Sequence, residues 1–90
     1  MKANLTIDEF PIVKDALQRE LVLLEAKLRL IKKEVNGFEK EFNMSSNKFI
    51  QDFEQGILGD DKAFFEWWGL VQGAKKLEGK MAKIKAVLFS

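Results

Sequence analysis

The sequence predicts an all-α fold, a long antiparallel helical hairpin that forms one domain of 90 residues (1–90). Two long stretches carry apolar residues at alternating spacings of three and four, the pattern of helices that pack against each other along their length. Hydrophobic residues make up 47% and charged residues 32% of the chain, which has one proline, as in long amphipathic helices. A domain of this size buries only about 60–65% of its unfolded surface, so association with a further chain is expected to stabilise it.

The first helix is predicted from about residue 10 to residue 42. Asp8 is its expected N-cap, because Pro11 then falls in the first turn, where a missing N–H removes no hydrogen bond. Residues 1–8 fit an extended arm or an edge strand. The apolar seam of this helix, spaced alternately by four and three, consists of Leu17, Leu21, Leu24, Leu28, Ile31, Val35, Phe38 and Phe42.

A second apolar stripe is predicted on the same helix, on the side opposite the seam. It consists of Ala16, Leu23, Leu30 and Gly37, which recur every seven residues. A helix that packs on one side only has no reason to carry such a stripe. We therefore expect a second copy of the chain to cover it, giving a dimeric four-helix bundle, or a different protein to do so.

The connector between the long helices is predicted to contain a turn and a short helix. Asn43 suits the left-handed end of the first helix, and one of the two serines that follow suits the next N-cap. The short helix is expected from about residue 46 to residue 55, with Phe49 and Phe53 on one side. These two rings are expected to close the end of the hairpin.

The last helix is predicted from about residue 61 to residue 88, antiparallel to the first. Asp60 and Asp61 form its helix-capping motif, because a carboxylate there accepts hydrogen bonds from free backbone N–H groups and suits the positive end of the helix dipole. The seam of this helix consists of Trp67, Leu70, Ala74, Leu77, Met81, Ile84 and Leu88.

The start of the last helix is the richest aromatic segment of the chain, Phe64-Phe65-Glu66-Trp67-Trp68. It carries more apolar surface than one contact can bury, and its acidic flanks disfavour stacking on nucleic-acid bases. A G-x-x-x-G spacing follows, a weak signal in a soluble protein. It is interpreted either as a strip of bare backbone that another chain can approach or as a pair of glycines tolerated on a solvated flank. The predicted partner-binding surface consists of Phe65, Trp68, Gly69, Gly73, Leu23 and Leu30.

The composition argues against catalysis. Cysteine and histidine are absent, which removes the cysteine nucleophile, the thiolate metal site and the usual general base. The carboxylates of Asp60, Asp61 and Glu66 lack the spacing of a calcium-binding loop, so neither a metal site nor another cofactor is predicted. From these absences we expect that the protein is not an enzyme. No apolar run reaches the roughly 18 residues of a membrane span, so we also expect a cytoplasmic protein with no membrane contact.

Part of the sequence resembles a known group of proteins over about residues 28 to 80. The segments concerned are Phe38-Glu39-Lys40-Glu41-Phe42-Asn43-Met44-Ser45, Gly56-Ile57-Leu58-Gly59-Asp60-Asp61 and Phe64-Phe65-Glu66-Trp67-Trp68. They resemble small archaeal and bacterial helical proteins with a Gly-Asp-Asp and Phe-Glu-Trp signature, some of which are regarded as antitoxins of toxin–antitoxin pairs. Ile57 stands where those proteins have an acidic residue, and the chain has a longer extension before Leu17.

The resemblance implies an antitoxin-like role, in which an aromatic helix surface binds and neutralises a cognate toxin-like protein. A structural coiled-coil homodimer, or an assembly subunit without a foreign partner, is the alternative. Nucleic-acid binding is a third and weaker candidate. It rests on residues 67–90, which carry five lysines and one acidic residue, a net charge of +4.

Overall fold

The computed structural model describes residues 9–89, which form three helices: α1 (Phe10–Phe42), α2 (Ser46–Glu54) and α3 (Lys62–Leu88). The all-α hairpin is confirmed, because α1 packs against α3 and the short α2 connects them. The observed bounds differ from the predicted ones by one residue at the end of α2 and one at the start of α3. The arm predicted for residues 1–8 lies outside the described residues. The N-cap of α1 is Glu9, one residue after the predicted Asp8.

The two predicted seams face each other along the hairpin. Their centre is a cluster of four buried side chains, with partly buried leucines at its edge. The cluster consists of Leu21, Leu24, Met81 and Ile84, and the leucines at its edge are Leu17, Leu28, Leu77 and Leu88. The alternating spacing keeps one face of each helix turned to the other over the full length, which explains why Gly37 does not interrupt α1.

The turn between α1 and α2 is built as the sequence predicts. Asn43 adopts a left-handed conformation with φ of 50°, and the N–H of Met44 donates to the carbonyl oxygen of Glu39 at 3.1 Å, which ends α1. Ser45 is the N-cap of α2, since its Oγ accepts a hydrogen bond from the N–H of Lys48 at 3.2 Å.

The connection from α2 to α3 depends on a glycine that ends α2 and an aspartate that caps α3. Gly56 has a φ of 76°, and the N–H of Ile57 after it donates to the carbonyl oxygen of Asp52, which closes the end of α2. Asp61 is the N-cap of α3, because its Oδ1 accepts from the N–H of Ala63 at 2.9 Å. Of the two aspartates predicted to cap the helix, Asp61 is the one that does so.

The three helices meet in an aromatic cluster around Trp67, whose side chain is 0% exposed. Its ring stacks on Phe49 of α2 with centroids 3.8 Å apart and on Phe38 of α1 at 5.8 Å. The indole Nε1 donates to Ser46 Oγ at 3.0 Å, and the N–H of the same serine donates to the carboxylate of Glu39 at 2.7 Å. Trp67 thus contacts both other helices through its ring, and its hydrogen bond to Ser46 is continued to α1 by the bond from Ser46 to Glu39.

The hairpin is too long and thin to be a compact domain. Its radius of gyration is 17.9 Å, whereas a compact chain of 90 residues has one of about 12 Å. Within residues 9–89 the buried apolar residues are the four of the central cluster together with Phe49 and Trp67. Most apolar side chains of the described chain therefore remain partly or largely in contact with solvent.

Candidate protein-binding surface

The second apolar stripe of α1 is exposed, but it lies beside the seam and not opposite it. Gly37 lines a groove between α1 and α3, which places the stripe on the flank of the hairpin. Leu30 is 66% exposed, Leu23 is more than half exposed, and Ala16 is exposed as well. The prediction that this stripe is unused within the chain is correct, whereas its predicted angle is wrong. At 100° per residue the stripe lies about 120° from the mean direction of the seam.

The groove that contains Gly37 lies at the aromatic end of the hairpin and has a volume of about 780 Å³. Phe65, which is 54% exposed, and Gly69 line it from α3. Three carboxylates also line it: Glu34, Glu41 and Glu66. Apolar and acidic side chains therefore share this part of the surface.

A second groove continues along the same side of the hairpin and is basic. It begins at Ile31 and Gly73, in the middle of the hairpin, and is lined by lysines of α3, including Lys76, Lys80 and Lys83. Lys80 also reaches across to Glu20 of α1, with its Nζ 3.4 Å from the carboxylate. The charge on this side of the molecule thus changes sign near Gly73.

We use the name groove face for the surface that contains both grooves and the exposed residues of the stripe that lie beside them on α1. On α1 it comprises Leu23, Lys27, Leu30, Glu34, Gly37 and Glu41, which share one side of the helix at spacings of three and four. On α3 it comprises Phe65, Glu66, Gly69, Gly73, Lys76, Lys80 and Lys83. Five of the six predicted partner-binding residues lie on this face: Phe65, Gly69, Gly73, Leu23 and Leu30.

Trp68 is the predicted partner-binding residue that lies elsewhere. Its indole Nε1 donates to the carboxylate of Glu54 at 3.2 Å, and its ring centroid lies 6.5 Å from that of Phe53. Phe53 in turn meets Phe65 edge-on at 5.2 Å. The half-buried Trp68 therefore holds α2 against α3. It has this role because α2 packs beside it.

Packing within the chain does not require the glycines of the groove face. A Cβ on Gly69 would meet no heavy atom within 4 Å, and one on Gly73 would only touch Ile31 Cδ1 at 3.9 Å. Each glycine in a helix interior costs about 1 kcal/mol relative to alanine. Since the hairpin itself gains nothing from them, their use is consistent with contact to another chain.

Gly69→Ala is accordingly expected to raise the free energy of unfolding of the isolated chain by about 1 kcal/mol. The measurement is urea unfolding followed by circular dichroism, at the lowest protein concentration that gives a signal, where association contributes least. Gly59→Ala is the matched control and is expected to lower this free energy by about 1 kcal/mol, because Gly59 has a φ of 85°. A loss of stability in Gly69→Ala would show that the hairpin itself needs this glycine.

Sequence reasoning missed the acidic residues of the groove face on α1. Glu34 and Glu41 are seven residues apart and adjoin the stripe residues Leu30 and Gly37, so the helical spacing could have placed them. Only the packing of α3 beside them shows that they share a groove with Glu66. In the part of the chain that the structure describes, no three acidic residues are grouped so as to hold a metal ion.

The described helices include none with the length and apolar character needed to cross a membrane. No protein-family model, curated protein or solved structure matches the chain at a significant level. The resemblance to antitoxin-like helical proteins therefore stays a prediction.

Proposed function

We propose that this protein acts by binding another protein along the groove face, without catalysis. The observation that carries the proposal is the exposure of Leu23, Leu30 and Phe65 on one side of the hairpin. Apolar side chains that are grouped on one surface and bordered by charged residues are characteristic of interaction sites. A helix of a partner laid along this face would bury them, as in helix-in-groove recognition.

The resemblance suggests a specific form of this role, the neutralisation of a toxin-like protein in the cytoplasm by covering its surface. The aromatic end supports such binding, because Phe65 presents a large apolar side chain next to a rim of carboxylates. Self-association into a structural homodimer uses the same face, and it is the other form of the proposal.

Affinity purification from a native extract tests the proposal. It compares the wild type with two variants, one changed at an exposed residue of the groove face and one changed at an exposed residue outside it. Tagged wild-type protein is expected to retain a specific protein in near-stoichiometric amount, and Leu30→Asp is expected to lose it. The reason is that an unpaired carboxylate at the centre of an interface must be desolvated. Retention is scored after nuclease treatment, on any protein caught, including an untagged copy of this chain.

Val22→Asp is the matched control. Val22 is 63% exposed, close to the 66% of Leu30, and it points about 100° away from its neighbour Leu23 on the helix. It should retain the protein as the wild type does. Equal retention by all three forms would show that the groove face is not the binding surface. A protein that is retained without nuclease but lost after nuclease treatment would instead indicate nucleic acid bound to the lysines of α3.

A further inference from the structure

We infer that the groove face packs against the same face of a second copy of this chain, with the two hairpins antiparallel and the twofold axis near Leu30 and Gly73. This inference rests on the proposed function, since it names the partner of that surface. The apolar residues of the groove face do not by themselves identify what binds to it. The distribution of charge along the face identifies a second copy of the chain.

Apart from Glu20, which pairs with Lys80 in the basic half, the charged residues that line the groove face are segregated about its middle. Ile31 and Gly73 lie at the same level of the hairpin, as the 3.9 Å approach described above shows. From that level, Glu34, Glu41 and Glu66 extend about 15 Å towards the aromatic end, at 1.5 Å of helix rise per residue. Four lysines extend about 15 Å in the other direction: Lys27, Lys76, Lys80 and Lys83.

The spacing about the middle is nearly symmetric on both helices. On α1, Lys27 stands three residues before Leu30 and Glu34 four residues after it. On α3, Glu66 and Lys80 stand seven residues before and seven residues after Gly73. A twofold axis across the middle of the face lays each helix antiparallel to its own copy. It therefore brings Glu34 opposite Lys27 of the second copy, and Glu66 opposite Lys80 of the second copy.

These charges are available for contacts between chains. Glu34, Glu41 and Glu66 are exposed and form no ion pair within residues 9–89, and the same is true of Lys27. Lys80 pairs with Glu20 at 3.4 Å, at an exposed position where its ammonium group can also donate a hydrogen bond to a second carboxylate. A parallel arrangement would instead set carboxylates against carboxylates and lysines against lysines, which is repulsive.

The area and the backbone agree with a second copy. The accessible surface of the whole elongated chain is 6,997 Å², about 1,600 Å² more than the roughly 5,400 Å² of a compact monomer of 10.4 kDa, and this excess is spread over all sides of the hairpin. A stable interface needs about 800 Å² from each partner. Gly73 at the axis leaves the backbone of α3 bare where it meets the α3 of the second copy, and the exposed Leu30 side chains of the two copies meet beside it.

Oligomeric state and charge reversal test the inference first. Sedimentation of the purified wild-type chain is expected to show a dimer. Two charge-reversed forms are each expected to dimerise about tenfold more weakly or worse. One carries Glu34→Lys with Glu66→Lys, and the other carries Lys27→Glu with Lys80→Glu. The effect is large because each opposed pair occurs twice in a twofold dimer. Mixing the two reversed forms should restore a 1:1 dimer. Arg29→Glu with Lys33→Glu, a reversal at exposed positions off the groove face, should leave the dimer unchanged.

Orientation is tested by a distance between labels. The chain has no cysteine, so Asn47→Cys carries a single spin label at an exposed position at the aromatic end. Antiparallel hairpins place the two labels on opposite sides of the twofold axis. α1 ends 12 residues after Leu30, about 18 Å of helix rise, so the labels are expected about 35 Å apart along the helices. A parallel dimer would place both labels at the same level, with no separation along the helices.

A monomer at all concentrations, or a short distance between labels, would overturn the inference. Neither result contradicts the proposed function. That function is tested separately, by the retention of a partner by the wild type and the loss of this partner in Leu30→Asp. A foreign protein retained by a monomeric chain would therefore reject the second copy and keep the binding surface.

Discussion

Trp67→Ala is expected to lower the free energy of unfolding by about 3 to 5 kcal/mol, a large part of the stability of a domain of this size. The side chain is 0% exposed and stacks on Phe49 with ring centroids 3.8 Å apart. Its removal opens a cavity where all three helices meet. It also leaves Ser46 Oγ without its indole donor.

Urea unfolding measured by circular dichroism checks this prediction, at one protein concentration for all variants. Trp67→Phe is the matched control, because it keeps an aromatic ring in the cluster and loses the hydrogen bond to Ser46. We expect it to lose about half as much stability as Trp67→Ala or less. A loss below about 1 kcal/mol for the alanine variant would mean that the cluster does not hold α2 to the hairpin.

Leu24→Ala is expected to lower the free energy of unfolding by about 2 to 4 kcal/mol. Leu24 is 2% exposed and lies in the central cluster with Met81 and Ile84, so the neighbouring side chains cannot fill the space that its removal leaves. Thermal or urea unfolding measures the change.

Val22→Ala is the control for this prediction. Val22 lies two residues earlier on the same helix and is 63% exposed, so it should change the stability by less than about 0.5 kcal/mol. Similar losses at both positions would contradict the burial of this face of α1 in the central cluster.

The helices and their ends could be predicted because local chemistry determines them. The alternating spacing of leucines specifies which face of α1 is buried, and Asn43, Ser45 and Asp61 each satisfy backbone groups within a few residues. Such signals do not depend on how distant parts of the chain are placed. The structure accordingly agrees with the predicted bounds to within one residue.

The role of Trp68 could not be predicted in the same way. The spacing of the last seam predicts that Trp67 is buried, as it is. Trp68 is held instead by Glu54 and Phe53, and this depends on where α2 docks, which is a long-range feature of the fold. The angle of the second stripe, in contrast, follows from the helical spacing of α1 at 100° per residue, and the predicted 180° does not agree with that spacing. Only the position of the stripe beside a groove depends on where α3 lies.

The position of the aromatic cluster at the closed end of the hairpin also bears on the order of folding. Phe42 and Phe64 are 22 positions apart in sequence and have ring centroids 5.1 Å apart, whereas Leu24 and Met81 in the central cluster are 57 positions apart. Closing the shorter loop costs about 0.8 kcal/mol less chain entropy. The helices are therefore expected to join first at the aromatic end and to zip towards Leu17. Trp67→Ala should then mainly slow folding, and Leu24→Ala should mainly speed unfolding, which stopped-flow kinetics on the same two variants can distinguish.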